Sequence, residues 1–281
     1  MPLVTDQLLF FPTRVAAAAE TLDQVGGDAG FRRGAVGTHT SRTIMLAEVS
    51  SLFDAVADTA APAEIAGAIK ASNILGKSTT STRRLTNQRL SELYALDPQV
   101  ALYRILRRLW QLDVTGRPLL AILCAIARDP LLAASASAVV PLPIGAEFVR
   151  SPMKEAIRAD VDDRLNDSIL DKVVRNAASS WTQTGHLVGR TIKKRSKVKA
   201  TAGATALALY LAHAAGFRGQ QIFASGWAKV LDADAAALRS LALDAKRAGL
   251  IDLRIAGEVL DISFARLDPG KNTQPTPPGD A

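Results

Sequence analysis

A polar, basic segment at residues 77–94 carries the side-chain types that contact nucleic acids. It reads KSTTSTRRLTNQRLSELY, and its first apolar residue is Leu85. Because the two helical turns before Leu85 offer no apolar face, we expect this helix to begin away from the core. Hydroxyl, amide and guanidinium groups bind phosphates and base edges. The candidate DNA contacts are Ser78, Thr79, Ser81, Thr82, Arg83, Arg84, Asn87, Gln88 and Arg89.

The order of elements around this segment is typical of a helix-turn-helix motif. A short helical pattern at residues 63–71 and a turn at Asn73 and Gly76 come before it. In that motif the second helix presents its first residues to the major groove, so the arginines would lie on a rigid element. The alternative interpretation is a solvated helix start that contacts nothing.

A second basic segment, GRTIKKRSKVKAT, follows near residue 190. No acidic residue interrupts it, and this density of charge predicts phosphate contacts that carry no sequence information. The alternative is a solvated linker between domains. Because no aromatic residue lies among the cations, a stacking platform for single strands is not expected. The candidate phosphate contacts, in a linker, are Arg190, Lys193, Lys194, Arg195, Lys197 and Lys199.

Catalytic and metal-binding chemistry is not expected from this sequence. Its three histidines, His39, His186 and His213, are widely separated, and Cys124 is the single cysteine. These residues offer no metal-ligand spacing and no evident nucleophile and base pair. The run ASNILGKS at residues 71–78 is one substitution from a phosphate-binding loop, but a helical pattern precedes it where a buried strand is needed. We therefore expect no enzymatic activity, cofactor or metal.

The segment SSWTQTGHLVGR, which contains His186, has two interpretations. Its hydroxyl, amide and imidazole groups could contact a phosphate or a base. The favoured interpretation is a capped turn in which Trp181 packs and the hydroxyl groups satisfy backbone atoms.

The apolar residues recur mostly at helical spacing, which predicts a mainly α fold. Ala and Leu supply much of the 48% hydrophobic content, and residues 118–127 are apolar on all sides, as in a central buried helix. The expected organisation is an N-terminal arm (1–40), a helix-turn-helix-like domain (41–97), a helical bundle (98–199), a winged-helix-like domain (200–267) and a disordered tail (268–281). In the fourth unit, helices near 201–215, 220–231 and 234–248 precede two alternating segments, the order of a winged helix with a small β-hairpin.

Charge and cysteine content suggest the partner class and the compartment. The chain has 281 residues with 34 Lys and Arg against 27 Asp and Glu, a formal charge of +7. A basic balance favours nucleic acid as a partner, and a single cysteine suits the reducing cytoplasm. Residues 200–217 are uncharged, but their weak hydrophobicity favours a buried helix over a membrane span. The start of the chain lacks the cationic residues of a secretory signal, so no export is expected.

Five segments resemble the BrxA family of bacteriophage-exclusion (BREX) defence systems. They are SRTIMLAEVSSLF, NILGKSTTSTRRL, RPLLAILCAIARDPLL, SSWTQTGHLVGR and GFRGQQIFASGW, within residues 41–267. The resemblance implies a non-enzymatic cytoplasmic component that binds double-stranded DNA, with a helical part similar to the RNA-binding protein NusB. Other defence-system proteins are further expected partners, and a membrane is not. The alternatives are a protein-interaction adaptor in the defence complex and a NusB-like RNA-binding factor.

Overall fold

A computed structural model describes residues 29–32, 37–161, 165–256 and 259–268. After a short 3-10 helix (Thr38–Thr40), the helices are α1 (Leu46–Ala55), α2 (Pro62–Lys70), α3 (Thr80–Tyr94), α4 (Ala101–Leu112), α5 (Arg117–Arg128), α6 (Pro130–Val139), α7 (Arg150–Asp160), α8 (Asp167–Gln183), α9 (Ala202–Ala214), α10 (Gln221–Ala224), α11 (Gly226–Lys229) and α12 (Ala235–Arg247). The strands are β1 (Leu187–Val188), β2 (Lys194–Arg195), β3 (Asp252–Ala256) and β4 (Val259–Ser263).

The mainly α fold with a small C-terminal hairpin is confirmed. Strands β3 and β4 pair antiparallel, with Leu253 opposite Ile262. The helix predicted at 220–231 is divided at Ser225, whose hydroxyl caps α11 by accepting from the Ala228 amide. The hairpin of β1 and β2 was not predicted, because its basic residues were interpreted as a linker.

The core is centred on α5, as its apolar composition predicts. Every residue from Leu119 to Ala127 is buried, and α5 contacts α3, α4, α6, α8 and α9. Burial raises the pKa of Cys124 to about 12, so this thiol is an inert part of the core. The buried hydrophobic residues form one cluster from Ile44 to Leu267. It crosses the boundaries expected near residues 97 and 199, and the domain limits stay predictions.

Polar caps fix several helix ends at places the sequence marks. Asp129 lies between α5 and α6 and accepts hydrogen bonds from the amides of Leu131 and Leu132. Pro130 then begins α6, where its missing N–H leaves no intrahelical bond unmade. Asn166 and Thr201 cap α8 and α9 in the same way. These helices therefore begin where a short polar side chain precedes an apolar run.

Residues near both ends of the described chain contact the rest of the protein. His39, near the end of the expected arm, is fully buried. Asp268, the first residue of the expected tail, accepts two hydrogen bonds from Arg104, at 2.7 and 2.8 Å. Residues 1–28 and 33–36 of the arm and 269–281 of the tail lie outside the described residues.

The apolar run at residues 200–217 forms a helix of ordinary length. Helix α9 has 13 residues, and most of them are buried against other helices. Across the described ranges, no helix has both the length and the apolarity that crossing a bilayer requires.

Candidate nucleic-acid interface

The second basic segment is an ordered hairpin rather than a linker. Leu187 lies opposite Arg195, and Val188 lies opposite Lys194. On the other side of β2, the amide of Phe148 donates to the carbonyl oxygen of Lys193 at 2.8 Å. Strand β2 therefore lies between β1 and residues 145–148, which fixes the direction of each basic side chain.

Arg195 points into the protein, so its expected phosphate contact is wrong. Its side chain is 1% exposed and pairs with Asp232, which is 8% exposed. Both terminal nitrogens of Arg195 donate to the carboxylate, one of them at 2.9 Å. The Nε atom donates to the carbonyl oxygen of Val139 at 2.9 Å. Because side chains alternate along a strand, Lys194 points outward where Arg195 points inward.

The other cations of this segment face solvent, and we call them the basic hairpin. Lys193 is half-buried, and its Nζ donates to the hydroxyl of Thr182 at 2.8 Å. Within the parts of the chain that the structure covers, none of these cations forms an ion pair. The basic hairpin consists of Arg190, Lys193, Lys194, Lys197 and Lys199.

Exposed aliphatic residues accompany these cations. Val188 and Ile192 belong to the hairpin, and Ile144 and Val149 lie at or next to the strand segment beside β2. Aliphatic side chains of this size are usually buried, and exposed apolar patches mark contact surfaces. The hairpin therefore presents both positive charge and apolar surface.

Helix α3 begins in solvent, as its polar sequence predicts. Ser78, Thr79, Ser81 and Arg84 are exposed, and Thr82 is half-buried. Thr79 is the N-cap, because its hydroxyl oxygen accepts from the Thr82 amide at 3.1 Å. The exposed hydroxyl groups and the guanidinium of Arg84 are accessible to a ligand.

The other predicted contacts on α3 take part in the fold. Arg83 donates to the carbonyl oxygens of Lys77 and Lys70, at 3.2 and 3.3 Å, and so ties α3 to the end of α2. Arg89 and Gln88 both donate to Glu92, at 2.7 and 3.0 Å. Asn87 is half-buried. Arg84 is therefore the guanidinium of this helix that no described hydrogen bond or ion pair holds.

The start of α3 and the basic hairpin are each attached to one of two helices, α1 and α8, which contact each other. Lys77 pairs with Glu48 in the first turn of α1, at 2.9 Å. The amide of Leu46 donates to Gln183 at the end of α8, at 3.2 Å, and Lys193 contacts Thr182 on the same turn of α8. These hydrogen bonds thus link the two basic segments indirectly, through α1 and the end of α8.

A serine, a histidine and an aspartate meet in the core with the geometry of a catalytic triad. Asp129 Oδ2 lies 2.7 Å from His39 Nδ1, and His39 Nε2 lies 2.8 Å from Ser180 Oγ. All three residues are fully buried. The hydroxyl of Ser180 also accepts from the Ile44 amide at 3.0 Å. These side chains lie within the core, and the network joins the short 3-10 helix to the start of α6 and to α8.

No sequence signal identifies this buried network, because its members are 90 and 141 residues apart. Burial raises the pKa of Asp129, but contacts with His39 and hydrogen bonds from the His39 and Leu132 amides outweigh burial. The pKa of this carboxyl group is therefore below its usual value.

His186 is also buried, which supports the interpretation that its segment is structural. Its Nε2 donates to the carbonyl oxygen of Val230 at 2.8 Å, and Nδ1 lies 2.8 Å from the Thr184 hydroxyl. The ring packs edge-on against Trp181, whose Nε1 donates to Ser135 at 2.8 Å. Residues 179–183 belong to the end of α8 rather than to a turn. Burial lowers the pKa of His186 to about 4.

We expect His186 to make the fold sensitive to mild acid. Its pKa is about 4 when folded and about 6.5 when unfolded, so the unfolded chain binds the extra proton between these values. The contribution of His186 to the free energy of unfolding is fully present above the pKa that His186 has in the unfolded chain. This contribution decreases as the pH falls below that value. From about pH 7 to about pH 5, the free energy of unfolding should fall by about 2 kcal/mol, measured by urea denaturation.

The control for this prediction is His186→Gln, which removes the titrating group and keeps a donor for Val230. In that variant the loss between the two pH values should be much smaller. Equal losses in both proteins would contradict the role of His186.

Other features offer less for ligand binding. A cleft of about 730 Å³ between α7 and α8 is lined by Arg150, Lys154, Asp171 and Arg175 among others, but Lys154 is paired with Asp171 at 2.8 Å. Helix α2, rather than a strand, precedes the run at 71–78, which is incompatible with a phosphate-binding loop. No metal-binding group of acidic, His or Cys side chains occurs in the described ranges.

The C-terminal surface has mixed charge. On α12, Arg247 pairs with Asp244 at 2.6 Å, and beside the hairpin of β3 and β4, Arg266 pairs with Asp252 at 2.9 Å. Arg254 lies opposite Asp261. The basic hairpin and the start of α3 therefore form the candidate interface.

In comparisons with known proteins, this chain matches no family model, no curated protein and no solved structure.

Proposed function

We propose that this chain is a non-enzymatic, DNA-binding accessory protein of a BREX-type antiphage defence system. The observation that carries the proposal is the basic hairpin, five cations with no ion pair among the described residues. Such a surface attracts the phosphate groups of a DNA duplex, and each contact with a phosphate releases counterions from the duplex. The resemblance to the BrxA family supports the choice of DNA and of a defence role.

The start of α3 supplies the second contact in this proposal. Helix α2, a turn and α3 have the order of a helix-turn-helix motif, with the exposed Arg84 and hydroxyl groups near the beginning of the second helix. Hydroxyl and guanidinium groups at that position bind phosphates and base edges. The basic hairpin then provides affinity, and α3 provides any preference among sequences. The C-terminal winged-helix-like unit is a weaker contact, because acidic residues offset its cations.

An adaptor function is the second candidate, favoured by the exposed aliphatic residues Ile144, Val149, Val188 and Ile192. A protein partner would cover these side chains, whereas phosphate contacts alone leave them in water. The two functions differ in what the purified chain binds by itself. An adaptor needs its partner protein, and a DNA-binding protein does not.

The test is fluorescence anisotropy with labelled duplex DNA, single-stranded DNA and structured RNA. Replacing Lys194, Lys197 and Lys199 together by Ala should weaken duplex binding on the order of a hundredfold, equally for all sequences, because three phosphate contacts are lost. Arg84→Ala should instead reduce any preference among sequences, at a cost of about 1 to 3 kcal/mol for a bidentate base contact.

The matched control replaces three exposed cations of the C-terminal unit, Arg239, Lys246 and Arg254, by Ala. It removes the same charge and should change duplex affinity much less. Equal losses in both triple variants would show that net charge, rather than the basic hairpin, drives binding. A preference for RNA would favour the NusB-like alternative, and no binding to any nucleic acid would favour the adaptor.

A further inference from the structure

We propose that the tip of the basic hairpin is an apolar wedge that enters the minor groove of DNA. There it would unstack a base step, so the preferred ligand is a duplex that is bent or locally flexible. This inference rests on the proposed DNA binding, and it adds the class of duplex that the hairpin recognises.

The first observation is the exposure of the tip. Val188 is 47% exposed and Ile192 is 57% exposed, and each residue from 188 to 192 is exposed. An aliphatic side chain at the end of a hairpin gains nothing from the core of its own protein. It is placed to contact a ligand that offers apolar surface.

The second observation is that the tip has a fixed shape. Gly189 has a φ of 111°, and a Cβ atom there would lie 2.1 Å from the carbonyl oxygen of Ile192. The Nζ atom of Lys193 donates to Thr182 at 2.8 Å and to the Gly189 carbonyl oxygen at 3.3 Å. The turn is therefore tight and is held against α8. A wedge needs this rigidity, because a soft loop would fold away from the base stack.

The third observation is the charge around the aliphatic residues. Arg190, Lys193 and Lys194 lie beside Val188 and Ile192. A minor groove has phosphates on both sides and apolar base faces that are uncovered when a step opens. Proteins that bend DNA through this groove combine cations with inserted aliphatic side chains. An acidic protein would satisfy the same charges, but a stable interface buries about 800 Å² on each partner, far more than the tip of the hairpin provides by itself.

The experiment compares an intact duplex with the same duplex carrying a two-nucleotide mismatch, and a 2-aminopurine next to a TA step reports unstacking. The wild-type protein should bind the mismatched duplex about tenfold more tightly, because the cost of opening the step is already met. When the wild-type protein binds the intact duplex, 2-aminopurine fluorescence should increase. The distance between the two ends of the duplex, measured by energy transfer between dyes on those ends, should become shorter. Ile192→Ser should lose both effects while keeping the salt dependence of the wild type.

The matched control is Leu112→Ser, which removes an aliphatic side chain that is 63% exposed at the end of α4. This variant should behave like the wild type. Equal affinity for both duplexes, with unchanged fluorescence, would overturn the wedge and leave DNA binding intact. No duplex binding at all would overturn both proposals. Binding of an acidic, leucine-rich peptide that Ile192→Ser abolishes, without any duplex preference, would identify a protein-docking surface and overturn the wedge.

Discussion

Duplex DNA binding is expected to weaken on the order of a thousandfold when the salt concentration rises from about 50 to about 200 mM. The basic hairpin supplies five cations, and Arg150 at the start of α7 is an exposed sixth next to the same sheet. If these contact about six phosphates, the logarithm of the binding constant falls with the logarithm of salt at a slope of about −5. Anisotropy titrations at four salt concentrations measure this slope.

The structure makes this expectation specific to individual residues. Lys194→Ala should make the slope shallower by about 0.9, the value for one phosphate contact, whereas Lys246→Ala on α12 should leave it unchanged. A slope near zero would show that the hairpin does not contact phosphates. A steep slope that Lys194→Ala does not alter would place the contacts elsewhere on the protein.

Asp232→Ala is expected to lower the free energy of unfolding by about 3 to 5 kcal/mol, because removing one partner of a buried ion pair leaves the other charge uncompensated. The guanidinium of Arg195 would remain in the core, between β1 and the Asp232 loop. The amide of Val198 would also lose its acceptor, Asp232 Oδ2, at 3.0 Å. Urea denaturation of the full chain, followed by circular dichroism, measures the change.

Two further variants separate the ion pair from the general effect of losing an aspartate. Asp234 caps α12 in solvent by accepting from the Ala237 amide at 2.8 Å, so Asp234→Ala should lower stability by only about 1 kcal/mol. The double variant Arg195→Met/Asp232→Leu should recover only part of the loss, because apolar side chains of similar volume often replace a buried ion pair without destabilisation. Recovery stays incomplete because the Val198 amide still lacks its acceptor and residue 232 keeps a positive φ of 53°. A loss below about 1 kcal/mol in Asp232→Ala would mean that the carbonyl acceptors of Arg195 suffice without the carboxylate.

The Arg195 pair also connects the candidate interface to the C-terminal helices. Its partner Asp232 lies in the turn before α12, and the carbonyl oxygen of Val230 in that turn accepts from His186 beside β1. Mild acid and Asp232→Ala therefore weaken two neighbouring contacts that hold the hairpin of β1 and β2 to the same turn. Both should loosen the basic hairpin before they affect α5.

Much of the fold follows from short-range patterns in the sequence. Some local structures have a physical cause that lies within a few residues. Examples are the apolar run of α5, the boundary at Asp129 and Pro130, and the alternating residues of β3 and β4. The polar start of α3 also predicted its exposure, because a helix without an apolar face has nothing to bury. The uncharged run at residues 200–217 predicted a buried helix instead, because it is apolar but too weakly hydrophobic for a membrane span.

The tertiary structure decided which basic residues face solvent. Lys194 and Arg195 are adjacent and chemically similar in sequence, but the pairing of β2 with β1 turns one outward and the other toward Asp232, 37 residues later. Arg83 and Arg84 are divided in the same way, because the end of α2 binds only the first. His39, Asp129 and Ser180 likewise meet only after the chain folds. The helices could be predicted because they depend on neighbouring residues, and the excess of positive charge follows from the composition alone. The accessible cations and the buried polar networks were decided by tertiary contacts, because their partners lie far away along the chain.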